Sequence, residues 1–234
     1  MSLPPLEGPA LLLAERGAAA HAAPDTLDAF RLARRLGADG VVSGAWRTED
    51  GVVVVRRDPA LGGIRKRSVA QIRSDELPES LVTLDALVDS LDGAVVALDV
   101  ADREVAESVV TTARRLEVAD RVWLRHPDLA TLAGWRAEFG DIRLVNVTRL
   151  RSVTGGPERR AADLRDAGID AIDLHVSDWT AGMVSLFHRF RRLTWGRDAQ
   201  QERMAVELLG NGVDVITGEY PDRLADAVAR VGGA

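Results

Sequence analysis

The chain has 234 residues, 46% of them hydrophobic and 28% charged, enough to bury a sizeable core. Thirty lysines and arginines against 36 aspartates and glutamates leave a net charge of −6, so the basic surplus that nucleic-acid binding requires is absent. There is no cysteine, which excludes disulfides and thiolate metal sites.

Read in chain order, short β-rich apolar runs alternate with segments of helical period. A strand at 10–14 precedes a helix at 26–36, where Leu27, Phe30, Ala33 and Leu36 form one stripe. A strand at 41–46 turns through Glu49-Asp50-Gly51 into a hairpin extension at 52–55, and a short helix follows at 83–91. Strand and helix then alternate at 94–100 and 104–116, 122–124 and 129–139, 142–147 and 158–167, and 171–174 and 183–191. The last two pairs lie at 193–195 and 200–209, and at 213–217 and 223–231. Residues 1–9 lack the basic and apolar regions of a signal peptide, and the run at 10–14 is far too short to span a bilayer. A soluble, cytoplasmic protein without an integral membrane segment is therefore expected.

Strict alternation of apolar strands with helices implies a parallel sheet covered by helices. Eight such units over the whole chain, 1–234, without a linker, predict one α/β domain, a (β/α)8 TIM barrel. An open doubly wound sheet is the rival, but it usually carries a glycine-rich phosphate loop after its first strand, and Glu15-Arg16-Gly17 is not one. A barrel places its functional groups where the strands end, here at 15–25, 43–58, 99–102, 125–128, 148–155, 175–179, 195–198 and 218–220.

Four segments carry a resemblance. Ala14-Glu15-Arg16-Gly17 with Pro24-Asp25-Thr26-Leu27 and Phe30 is similar to A-H-R-G and P-E-N-T-x-x-A-F. Gly37-Ala38-Asp39-Gly40-Val41 matches the G-A-D-G-V that precedes E-x-D. Asp50-Gly51-Val52 to Arg57-Asp58-Pro59 is similar to D-G-x-x-V-x-H-D-P. Gly212-Val213-Asp214 to Glu219-Tyr220-Pro221-Asp222 is similar to G-V-D-x-I-x-T-D-x-P-D. In this order and spacing the chain resembles the glycerophosphodiester phosphodiesterases, which implies a barrel with a phosphodiester site at its mouth. The family uses two histidines as general acid and base, acidic ligands for a divalent metal such as magnesium or calcium, and an arginine for the phosphate.

The resemblance also shows what has changed. The two histidine positions hold Glu15 and Arg57, the arginine is kept as Arg16, and the P-E-N-T acid corresponds to Asp25 in a segment one residue shorter. The E-x-D acids fall on Val42 and Gly44, and a later E-x-K falls on Asp99 and Ala101. The W-T-V-N segment has become Thr194-Trp195-Gly196-Arg197. General acid–base groups contribute about 10²–10⁴-fold each, so the expectation is a phosphodiesterase-like protein of impaired catalysis, with no catalytic histidine and no retained metal cofactor. Arg16 and Arg57 are the expected phosphate-binding residues, for a small phosphate-containing ligand. Glu15, Asp25, Asp99, His126, His175 and Trp195 are expected around the pocket, with Asp25 and Asp99 as weak metal candidates.

Each assignment has a structural alternative. Glu15 either pairs with Arg57 or Arg16 or reaches solvent, and Arg16 is either an anion ligand or half of a structural ion pair. Arg56 reads as a surface charge, His21 as a surface-loop residue and His188 as structural. Trp179 and Trp195 are equally pocket floor or core, and Trp135 is helix packing. An active phosphoric diester hydrolase of rearranged site, using His126, His175 or Glu15 for proton transfer, is the alternative function. A metal-free sugar-phosphate or polyphosphate binder is a third. The sequence leaves the oligomeric state open.

Overall fold

Residues 5–61 and 67–232 are described by the computed structural model. Residues 1–4 of the segment read against a signal peptide lie outside them. Strand β1 (Leu11–Glu15) leads into α1 (Leu27–Arg35), and β2 (Gly40–Arg47) turns back into β3 (Val53–Val55). A small hairpin of β4 (Ala60–Leu61) and β5 (Arg67–Ser68) precedes α2 (Leu84–Ser90). Six further strand–helix pairs follow: β6 (Val95–Val100) and α3 (Arg103–Arg115), β7 (Val122–His126) and α4 (Leu129–Arg136), and β8 (Arg143–Val147) and α5 (Gly156–Asp166). The last three are β9 (Ala171–His175) and α6 (Ala181–Arg189), β10 (Leu193–Arg197) and α7 (Glu202–Gly210), and β11 (Val215–Gly218) and α8 (Pro221–Gly232). The parallel strands run β1-β2-β6-β7-β8-β9-β10-β11, and β11 pairs back onto β1, so the sheet closes as a (β/α)8 barrel. The hairpin strand β3 lies antiparallel on β2.

Side chains of successive strand residues point to opposite faces, so each strand supplies two cores. Leu13, Val42, Ala97, Trp123, Val145, Ala171, Leu193, Trp195 and Val215 form the interior cluster. Their neighbours Leu12, Val41, Val96, Leu124, Leu144, Ile172 and Ile216 join the outer core with Phe30, Leu87, Val109, Leu132, Leu164, Phe187 and Leu208 from the helices. The βα turns end on capping residues: Thr26, Thr83, Asp102, Asp128 and Thr180 each accept a backbone N–H three residues on.

Three strands run further than their apolar residues predict. β7 continues to His126, β9 to His175 and β10 to Arg197, so Arg125 and Arg197 stand on strands rather than in loops. Strands carry charged residues this far because inward-facing arginines and aspartates neutralise one another there.

The opposite end is tied by Asp214. Its Oδ2 accepts from the Thr194 backbone (2.6 Å) and hydroxyl (2.7 Å) and contacts His188 Nε2 at 2.8 Å, while Oδ1 accepts the Leu6 N–H. His188 is thus structural. Burial alone would raise the Asp214 carboxyl; the bonds from His188 and Thr194 outweigh it and hold the pKa below the ordinary carboxylate value. A depressed carboxylate contributes stability above its unfolded value, near 4, and that stability is lost as pH falls through the folded value. Asp214→Asn should therefore cost about 1–3 kcal/mol at neutral pH and lose less stability than the wild type as pH falls below the ordinary carboxylate range. Urea unfolding at stepped pH measures both.

Candidate active site at the barrel mouth

The mouth is built by residues of inward parity one step above the interior cluster. Glu15 follows Leu13, Asp99 follows Ala97, Arg125 follows Trp123, Asp173 follows Ala171 and Arg197 follows Trp195. Asp173 has no exposed side-chain surface. Its Oδ2 accepts from Arg125 Nη2 at 2.5 Å and its Oδ1 from Arg197 Nη1 at 2.6 Å. Arg125, 6% exposed, also pairs with Asp99 at 3.2 Å and lies 4.8 Å over the Trp195 ring. Arg197 donates further to the carbonyls of Asp173 (2.9 Å) and Thr148 (2.7 Å). Burial opposes the charge on Arg125, but Asp99 and Asp173 outweigh it and hold the guanidinium above its ordinary pKa. Burial likewise pushes the Asp173 carboxyl up, against the pull of both arginines.

Around this buried chain the remaining charges also pair. Arg57 donates to Glu15, one of the two arrangements expected for that carboxylate. Arg16 Nε donates to Asp25 at 3.0 Å, so its guanidinium is half of an ion pair. Asp25 is almost fully engaged: Oδ1 accepts from Ser43 at 2.6 Å, and Oδ2 also accepts the Arg57 N–H at 3.2 Å. Arg16 and Asp25 both lie in the left-handed region, at φ 56° and 60°, and the pair closes the loop between them. Aspartate tolerates that region better than arginine.

A cavity of about 410 Å³ opens beside Arg125. Arg57, Arg125, Asp99 and His126 line it with Trp46, Val100, Ala101, Pro127 and Val147. The other expected pocket residues lie elsewhere on the mouth. Trp195 is fully buried beneath Arg125, and its Nε1 donates to Thr217 at 3.0 Å. Trp179 bonds the Trp195 carbonyl (2.9 Å) and packs on Phe187, so both indoles are core and floor. Trp135 packs edge-on to His126. Across the mouth, His175 contacts Asp198 at 3.1 Å. His21 pairs with Asp222 at the rim, at 2.9 Å. Arg56 is half-buried rather than a free surface charge, because its backbone bonds Gly44 and Trp46.

The donors present do not suit a hard divalent cation, which takes about six or more oxygens, several from carboxylates. Glu15, Asp25, Asp99 and Asp173 each already hold a guanidinium, and Val42 lies in the interior cluster. A Cβ on Gly44 would stand 2.5 Å from the Arg56 carbonyl oxygen, so the neighbouring loop occupies the space an acidic side chain needs. Among the described residues no three acidic or histidine side chains converge as a metal cluster.

The fold and mouth are those of a TIM barrel whose site lies at the C-terminal ends of its strands. More specifically, the chain has the fold of the glycerophosphodiester phosphodiesterases. A structure described as a glycerophosphoryl diester phosphodiesterase from Silicibacter pomeroyi superposes with a TM-score of 0.83 at 17% identity, over 99% of this chain and 97% of that one. The Thermotoga maritima glycerophosphodiester phosphodiesterase gives 0.80 at 17%, over 93% and 97%. An Oleispira antarctica phosphodiesterase in complex with the product sn-glycerol-3-phosphate gives 0.79 at 17%, over 94% and 96%. No protein-family model and no curated protein matches the sequence. Among the described residues no helix is long and apolar enough to cross a membrane.

Sequence reasoning set Glu15, Arg57, Arg16, Asp25 and Asp99 at one mouth and put Arg125 and Arg197 in strand-end segments without a role, while Asp173 was not singled out. Their signal was parity: each stands two residues beyond an inward-facing Trp123, Ala171 or Trp195. Removing the shared carboxylate with Asp173→Ala should leave two guanidiniums uncompensated and cost about 3–5 kcal/mol. Thermal and denaturant unfolding check this, and Arg57→Ala, at the exposed rim, should cost under about 1 kcal/mol.

Proposed function

We propose that this barrel binds a small phosphate ester at its mouth, without metal, and that its catalysis of phosphodiester hydrolysis is impaired. The carrying observation is the cavity that places Arg57 and Arg125 on one lining, facing an apolar wall of Trp46, Val100, Pro127 and Val147. A phosphate competing with Glu15 for Arg57, and with Asp99 for Arg125, gains charge-assisted hydrogen bonds of about 1.5–3 kcal/mol each. The apolar wall suits the carbon skeleton of the ester. Arg125 stands on this lining with Arg57, while Arg16 holds Asp25 through Nε and lies outside it. The product complex of the Oleispira antarctica phosphodiesterase supports sn-glycerol-3-phosphate as the first ligand to test.

Impairment rests on the same residues. A phosphodiester anion repels nucleophiles, so hydrolysis needs charge neutralisation and a proton donor for the departing alkoxide. Here Glu15 and Arg57 stand at the family's histidine positions, paired with each other, and the carboxylates are paired with arginines.

Calorimetric titration of glycerol 3-phosphate, in chelator, should show metal-independent binding. A half-exposed ion pair contributes about 0.2–1 kcal/mol, so Glu15→Gln should tighten it by up to about fivefold. Purified protein should release no glycerol 3-phosphate from glycerophosphocholine with magnesium or calcium present. Glu15→His with Arg57→His should not restore release, because Val42 and Gly44 supply no ligand. Robust turnover that disappears on chelation would support the rearranged hydrolase instead. No response to millimolar ligand in either form would leave the mouth a closed, internally paired site.

A further inference from the structure

On the side of the mouth formed by β9 and β10, Ser177, His175 and Asp198 form one hydrogen-bonded chain. Ser177 Oγ lies 2.8 Å from His175 Nδ1, and His175 Nε2 lies 3.1 Å from Asp198 Oδ2. The contacts define the tautomer. Nδ1 accepts the Ser177 backbone N–H at 3.1 Å, so it carries a lone pair, and the ring proton sits on Nε2, donated to Asp198. That state suits a general base facing a hydroxyl. Asp198 is itself fixed: Gln200 Nε2 donates to Oδ1 at 2.8 Å, and its backbone lies at φ 67°. Ser177 is exposed, and Arg149 Nη2 stands 3.5 Å from its Oγ while Arg149 Nε pairs with Asp178 at 3.2 Å.

We propose that Ser177 is a nucleophile for acyl transfer from small carboxylic esters. Ser177 Oγ attacks the ester carbonyl carbon as its proton moves to His175 Nδ1, whose lone pair gives up its bond from the Ser177 N–H in that step. Asp198 holds the resulting imidazolium through Nε2–H, and Arg149 places positive charge beside the developing oxyanion. The carbonyl–alkoxy bond breaks, and the departing alcohol takes the proton from His175. Water then adds to the acyl-serine with His175 again accepting a proton, the carboxylic acid leaves, and Ser177 regains its hydrogen. Ser177 and His175 are the catalytic residues and Asp198 positions the imidazole. None of the three lines the Arg57–Arg125 cavity, so the two sites are separable.

The native chain should be labelled at Ser177 by a fluorophosphonate probe, mapped by peptide mass spectrometry, and should hydrolyse 4-nitrophenyl acetate. Ser177→Ala and His175→Gln should lose label and lower hydrolysis about 10²-fold or more, while Ser108→Ala, on α3, changes neither. Asp198→Asn keeps a residue that tolerates positive φ, so it tests the hydrogen bond rather than the backbone. It should lower kcat with KM unchanged. Calorimetric binding of glycerol 3-phosphate should be the same in Ser177→Ala as in wild type, which separates this result from the fate of the phosphate site. Labelling no greater than that of heat-denatured protein would overturn the proposal. So would equal labelling of Ser177→Ala, or full activity in a folded His175→Gln.

Discussion

A carboxylate with no exposed side-chain surface, held between two guanidiniums, sets the terms for everything above it in this barrel. Asp173 cannot be charged in the interior without Arg125 and Arg197, and neither arginine could point inward without it. Together they extend β7 and β10 past their apolar residues, cap the indole of Trp195 and fix the floor of the mouth. Arg125 then holds Asp99 at the rim, and through that contact the buried chain reaches the cavity. The chemistry of the mouth follows from this order: carboxylates are committed to arginines from the floor upward.

The barrel was legible because its evidence is periodic. Leu12 and Leu13, Val41 and Val42, or Leu144 and Val145 pack on opposite faces of their strands, and such doublets read as buried parallel strands whatever the chain does elsewhere. The site was legible only where a local motif marked it. Glu15, Arg16 and Arg57 stand in recognisable segments, whereas Arg125, Asp173 and Arg197 come from three strands with nothing local to join them. A charged residue beyond an apolar run reads as the start of a loop, and only the partner strands reveal that its charge is answered. The same limit applied to one contact of Arg16: its pairing with Asp25 depends on two left-handed residues nine positions apart.

The comparison structures share the barrel at identities below one fifth. At that distance a common fold carries the placement of a site and leaves its chemistry to the side chains. Here those side chains are carboxylates and guanidiniums paired with one another. The barrel's geometry accommodates them because strand termini hold residues at one face whatever their charge.

Gly44 sets a steric condition on any rebuilding of this mouth. With the Arg56 carbonyl lying where any β-carbon would go, an aspartate at this position would collide with the chain before it could serve a metal. Placing a carboxylate at position 44 would therefore require the 56–57 segment to withdraw first, while that segment is held by Trp46, by Asp25 and by the Gly44 backbone. No single substitution does both. What this strand end can carry is therefore decided by the loop that crosses it, and the residue type at position 44 follows from that packing.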